Sequence, residues 1–204
     1  MEKLRQVIQQ LNLMKKYSGN KVSTAIFISG RGTNLKSLIS FSHKKISPIK
    51  IDLVFSNKRK ASGLKFAKEK KIKILLLNEK FFYNSERKLV KILNEKNIEL
   101  ICLAGFMKIL SSSFIKRFKG RIINIHPSLL PKYKGLNTHK RVLEKKENYT
   151  GCSVHFVNSK LDSGKIILQK KVKILKKDNE KKLAKRVWSL EHKLYPQAIM
   201  KIFS

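Results

Sequence analysis

Five short runs of apolar and β-branched residues, each bordered by helix-spaced segments, limit what this chain can fold into more than any other feature. They are Val22–Ile28, Ile51–Phe55, Ile72–Leu77, Leu100–Ala104 and Arg121–Ile125. Val22–Ile28 is almost continuously apolar instead of alternating, so it must be covered on both faces. Between the runs, apolar residues recur every three or four positions. Leu35, Leu38 and Ile39 follow the first run, the segment from Ala61 to Lys70 follows the second, and Leu89, Ile92 and Leu93 precede the fourth. A shorter helix, Ser111–Phe118, is expected to be capped by one of its serines. Strands alternating with helices predict an α/β fold, a Rossmann-like, mostly parallel and doubly wound sheet with flanking helices.

The pattern changes after Gly135. Thr138–Glu144 reads as a helix, and Gly151–Val157 and Lys165–Val172 as strands that turn back on each other through Leu161–Gly164. Asp178–Ile202 predicts a long closing helix, with Leu183, Val187, Leu190, Leu194 and Ile199 on its apolar side. At the other end, Met1–Asn20 places Leu4, Val7, Ile8, Leu11 and Met14 at helical spacing. We read residues 1–20 as a helical extension and 21–204 as a single domain. No run approaches the ~20 apolar residues that span a bilayer, and the opening segment lacks the features of a signal peptide. A cytoplasmic location and no membrane partner are the expectation.

The net charge of +34 asks whether nucleic acid is the partner. Of 47 basic residues only eight are Arg, and the Lys residues are spread along the whole chain. Base readout leans on Arg, so no specific nucleic-acid binding is expected. Attraction to small anions follows from the field in any case. Cys102 and Cys152 have neither metal-ligand nor redox spacing, and neither is a good nucleophile candidate. No metal site is expected.

Two places carry chemistry. Val22–Ile28 runs into Ser29-Gly30-Arg31-Gly32-Thr33-Asn34 and then into a helix. Strand, glycine-rich turn and helix start together expose backbone N–H groups to an anion. The second place is Ile122–Gly135, reading I-I-N-I-H-P-S-L-L-P-K-Y-K-G. Asn124 and His126 are two apart on a strand and share a face, and Pro127 ends the ladder. Asp162 lies in the later turn. An amide, an imidazole that titrates near pH 6.5 and a carboxylate suit acyl-type transfer, in which a carbonyl oxygen gains negative charge. His155 reads as a packing neighbour of these groups, and Leu130–Pro131 as a candidate cis bond.

The order of S-G-R-G-T-N-L (Ser29–Leu35), A-G-F-M-K-I-L (Ala104–Leu110), N-I-H-P-S-L-L-P-K-Y-K-G (Asn124–Gly135), S-V-H-F-V (Ser153–Val157), L-D-S-G (Leu161–Gly164) and E-H-K-L-Y-P (Glu191–Pro196) resembles the folate-dependent phosphoribosylglycinamide formyltransferases. The resemblance spans about Val22 to Phe203. It implies formyl transfer from 10-formyltetrahydrofolate, as co-substrate, to glycinamide ribonucleotide in purine synthesis, with no acyl-enzyme and no metal. It assigns catalysis to Asn124, His126 and Asp162, with Asp162 keeping His126 charged and oriented. Gly32, Thr33 and Asn34 are implied to hold the phosphate and Glu191 the ribose hydroxyls. Met107, Lys108, Ile109, Leu110, Asn124, Val157 and Leu161 are implied to line the folate pocket. Residues from about 21 to 120 would then form the nucleotide half and 121 to 204 the folate and catalytic half, in a monomer or homodimer. Trp188 and Asn137 depart from the family pattern, where a polar residue and a His are more common. Within the superfamily the alternatives are methionyl-tRNA formyltransferase and formyltetrahydrofolate deformylase, and outside it a basic nucleic-acid-binding module.

Overall fold

A computed structural model describes residues 20–77 and 82–203. Of the segment read as an N-terminal helix, all but Asn20 lies outside the described residues. The strands are β1 (Val22–Ile28), β2 (Ile49–Ser56), β3 (Lys73–Leu76), β4 (Leu100–Leu103), β5 (Arg121–His126), β6 (Tyr149–Phe156) and β7 (Ile166–Lys173). The helices are α1 (Thr33–Ser42), α2 (Leu64–Glu69), α3 (Phe82–Glu95), α4 (Ser112–Arg117), α5 (Thr138–Glu144) and α6 (Glu180–Phe203). All seven strands form one sheet in the order β3-β2-β1-β4-β5-β6-β7. β1 to β5 are parallel, and β6 and β7 are antiparallel additions at one edge. The expected α/β architecture is therefore present, antiparallel strands and long last helix included.

β1 shows why a continuous apolar run was needed. Ile26 and Ile28 face a core shared with Leu35 and Leu38 of α1 and Val187 and Leu194 of α6. Ala25 and Phe27 face the opposite core, with Leu89 and Leu93 of α3 and Phe114 of α4. Each fully buried side chain of this size stabilises the fold by roughly 1.5–3 kcal/mol. Tyr195 of α6 is wholly buried, and its hydroxyl donates to Leu103 O at 3.1 Å and Ile123 O at 3.2 Å, bridging β4 and β5.

The element boundaries differ from expectation where turns compete with helix. α2 begins at Leu64 and not at Ala61, because Ala61 N–H bonds Lys58 O and Leu64 N–H bonds Ala61 O in successive turns. α4 begins after Ser111, whose side chain accepts from Phe114 N–H. Leu130–Pro131 is cis.

Strand order reverses between β1 and β4, since β2 lies on one side of β1 and β4 on the other. Loops leaving the carboxyl ends of those two strands must diverge, which opens a crevice there.

Candidate functional site

The crevice is a cleft of about 870 Å³. Every site residue expected above lines it, from Gly32, Thr33 and Asn34 at one end, past Met107 to Leu110, to Asn124, His126, Val157, Leu161, Asp162 and Glu191.

At one end the chain leaves β1 through Gly30 and Arg31 and enters α1 at Gly32. Gly32 has φ +68°, a left-handed conformation that suits glycine. It also abuts a second glycine. A Cβ on Gly32 would lie 2.6 Å from Gly63 Cα, and one on Gly63 2.7 Å from Gly32 Cα. Gly63 N–H donates to Gly30 O at 3.0 Å and fixes the crossing. The first N–H groups of a helix have no intrahelical acceptor. Here no side chain caps them and no acidic residue lies in the first turn. The positive end of the helix therefore remains available to an anion.

Asn34 joins this turn to α6. It is buried and donates from Nδ2 to Glu191 Oε2 at 2.7 Å. Its Oδ1 is buried with no hydrogen-bond partner, an unsatisfied acceptor in a residue that lines the cleft. Burial pushes the Glu191 carboxyl up to about 7, against the opposing effect of the Asn34 hydrogen bond.

The other end holds four polar side chains. The Nδ1 of His126 lies 3.3 Å from Asp162 Oδ2, and its Nε2 lies 2.8 Å from the Tyr133 carbonyl. Gly135 N–H donates to the same Asp162 oxygen at 2.8 Å, fixing the carboxylate. Asn124 Nδ2 lies 3.2 Å from His155 Nε2 and donates to Asp162 Oδ1 at 3.4 Å. His155 Nδ1 faces the Phe156 carbonyl at 2.8 Å. That nitrogen therefore carries hydrogen, and Nε2 accepts from Asn124. Strand register produces the meeting, since β6 is antiparallel to β5 and pairs Asn124 with His155. The left-handed residues Tyr133, Gly135, Asn137 and Asp162 shape the loops around it.

Burial lowers the His126 pKa below 6.5, opposed by the Tyr133 carbonyl and by Asp162. The net direction runs against the expectation that Asp162 keeps the ring charged, although Asp162 itself favours the charged form. Either neutral tautomer leaves one ring nitrogen's lone pair facing an oxygen, and a bound proton removes that repulsion. The Asp162 carboxyl sits below its usual range: its own burial raises it, and the stabilising groups around it, the Gly135 N–H and His126 among them, outweigh that. Both thiols are buried. Burial drives Cys102 far above its ordinary value and Cys152 to about 12, so neither is a nucleophile.

Between the two ends the cleft is rimmed by exposed apolar side chains, Met107 (62% exposed), Ile109 (57%), Leu136 (71%) and Leu161 (50%). Apolar side chains exposed together around a polar-lined cleft mark an interaction surface or ligand groove. Among the described residues no His, Cys, Asp and Glu group could hold a metal ion, and no helix is long and apolar enough to cross a membrane.

The formyl transferase family's sequence pattern matches residues 22–199. The chain belongs to the formyl transferase family. Within that family it is 44% identical over 178 residues to phosphoribosylglycinamide formyltransferase of Haemophilus influenzae, covering 86% of this chain and 84% of that protein. It is 42% identical over 196 residues to the trifunctional purine biosynthetic protein adenosine-3 of Gallus gallus. The match takes in 95% of this chain but only 20% of that protein, so the chain spans about a fifth of this relative's length. Among solved structures, phosphoribosylglycinamide formyltransferase from Brucella melitensis superposes with a TM-score of 0.85 at 39% identity, covering 91% of this chain and 97% of that one.

His155, read as a neighbour of the Asn124–His126–Asp162 cluster, sits between Asn124 and Asp162, 3.6 Å from the carboxylate. The sequence did not reveal that Gly63 abuts Gly32, a contact between residues far apart in the chain.

Proposed function

We propose that this chain transfers the formyl group of 10-formyltetrahydrofolate to the amino group of glycinamide ribonucleotide, a step of purine biosynthesis. The observation that carries the reading is a single cleft with a free anion-binding helix start at one end and the Asn124–His126–Asp162 cluster at the other. An apolar rim between them fits a pterin. The first-turn N–H groups around Gly32, Thr33 and Asn34 receive the phosphate. Asn34 Oδ1 and Glu191 receive ribose hydroxyls, which supply the donor that the unsatisfied oxygen lacks. Met107, Lys108, Ile109, Leu110, Val157 and Leu161 surround the folate. On this reading the first part of the domain, to about residue 120, supplies the phosphate turn. The remainder supplies the catalytic groups and much of the folate wall.

The amine nitrogen attacks the formyl carbon, and the carbonyl oxygen takes the negative charge. Asn124 stabilises it by turning one N–H from the long 3.4 Å contact with Asp162 toward that oxygen. His126 exchanges the Tyr133 carbonyl for the reacting groups. It takes the proton released by the amine and passes it to the departing folate nitrogen as the carbon–nitrogen bond breaks. Asp162 stabilises the imidazolium formed on the way, and His155 fixes the Asn124 amide. Both cysteines are buried and unpaired, which suits a reducing cytoplasm.

The test is a spectrophotometric assay of folate turnover with both substrates saturating. Formyl transfer to glycinamide ribonucleotide is the expected result, and no transfer to that amine overturns the assignment.

A further inference from the structure

Arg31 stands one residue before Gly32, exposed at the edge of the cleft, with its guanidinium 4.0 Å from the centre of the Trp188 ring. Among the described residues no carboxylate pairs with it and no carbonyl accepts from it, so its five N–H donors remain free. Trp188 also lines the cleft and lies one turn before Glu191 on α6, so the two share a face of the helix. The next cation along, Lys36, lies instead over Phe66 at 5.5 Å and lines a separate groove with Lys44 and Lys193.

We propose that Arg31, lying over the Trp188 ring, is the side-chain clamp for the phosphate of the amine substrate, and that Trp188 is its positioning residue. A guanidinium stacked on a ring keeps its planar fork oriented before the ligand arrives, so less freedom is lost when it grips two phosphate oxygens. It adjoins in sequence a turn whose N–H groups are uncapped, and shares the cleft with Asn34, whose buried Oδ1 lacks a donor. Free cationic donors, open backbone N–H groups and one unsatisfied acceptor together describe a phosphorylated sugar. The inference rests on the substrate proposed above.

Calorimetric titration with ribose 5-phosphate separates the two claims, because it needs no turnover. Arg31→Ala is expected to weaken binding on the order of tenfold or more, and to raise the KM for glycinamide ribonucleotide while leaving that for the folate alone. Trp188→Ala should weaken binding severalfold and Trp188→Phe less. The double variant should be no worse than Arg31→Ala, since Trp188 acts only through Arg31. Ribose 5-phosphate affinity within twofold of the unaltered protein in Arg31→Ala, or effects that multiply in the double variant, would overturn the clamp. An unaltered protein that binds ribose 5-phosphate through Arg31 but transfers no formyl group would uphold the clamp and end the proposed activity.

Discussion

Asn34 and Glu191, 157 residues apart in the chain, meet in a 2.7 Å hydrogen bond that joins the first turn of α1 to the middle of α6. The contact holds a carboxyl in a place where ionisation is costly. Glu191 titrates near 7 in the folded protein against an ordinary 4.5. Between those values the folded state holds a proton that the unfolded chain has lost, so this group's contribution to stability declines as pH rises from 4.5 to 7. Glu191→Gln removes the titration. It should raise the unfolding free energy at pH 8 by about 1–3 kcal/mol, with little effect at pH 5, as thermal melts at the two values will show. The same change should raise the KM for the amine substrate.

His126 supplies a dependence of opposite sign. Its folded pKa lies below the unfolded 6.5 because burial disfavours the charged ring. As pH falls through 6.5 the unfolded chain binds a proton first, and stability declines. The kcat/KM, which reports groups of the free protein, should fall on the acid side with an apparent pKa below 6.5. In His126→Asn that limb should disappear along with most of the activity. An acid limb that survives in the variant would assign it to another group.

Asp162→Asn tests the cluster without emptying it. Asn keeps an acceptor for Gly135 N–H but loses the charge that steadies the imidazolium. We expect turnover to drop on the order of 10²–10³ with a melting temperature close to that of the unaltered protein. A loss of folding instead of turnover would make Asp162 a structural residue.

Gly63→Ala tests the glycine crossing. Gly63 has an ordinary φ of −65°, so the penalty comes from contact and not from backbone strain. With Gly32 backbone atoms at 2.7 and 2.8 Å from the new Cβ, one segment must move. A loss of about 1–3 kcal/mol is expected. The KM for the phosphorylated amine should rise with little change for the folate, measured by varying each substrate in turn.

The strands were legible because burial on two faces leaves a continuous apolar signature, and β1 and α5 have the bounds expected from periodicity alone. Helix starts were less so. Turns at Lys58–Leu64 delay α2 by hydrogen bonds that composition does not announce. The cleft's residues could be named from motifs, but their electrostatics could not. Whether His126 is charged depends on how much water the loops exclude, and that follows from Tyr133, Gly135 and Asp162 closing over it. The same holds for Arg31 on Trp188, a pair brought together only when α6 packs against α1.

The Tyr195 hydroxyl, shared between the carbonyls of Leu103 and Ile123, sets a length scale for the molecule. It pins the helix that carries Glu191 to the seam between β4 and β5, one residue from Asn124. On the proposed reading, the span from the Asn34–Glu191 end of the cleft to the Asn124–His126–Asp162 end is therefore a fixed gauge. An acceptor whose amine stands one bond nearer to or farther from its phosphate would be held as firmly as the right one and yet present its nitrogen to the wrong spot.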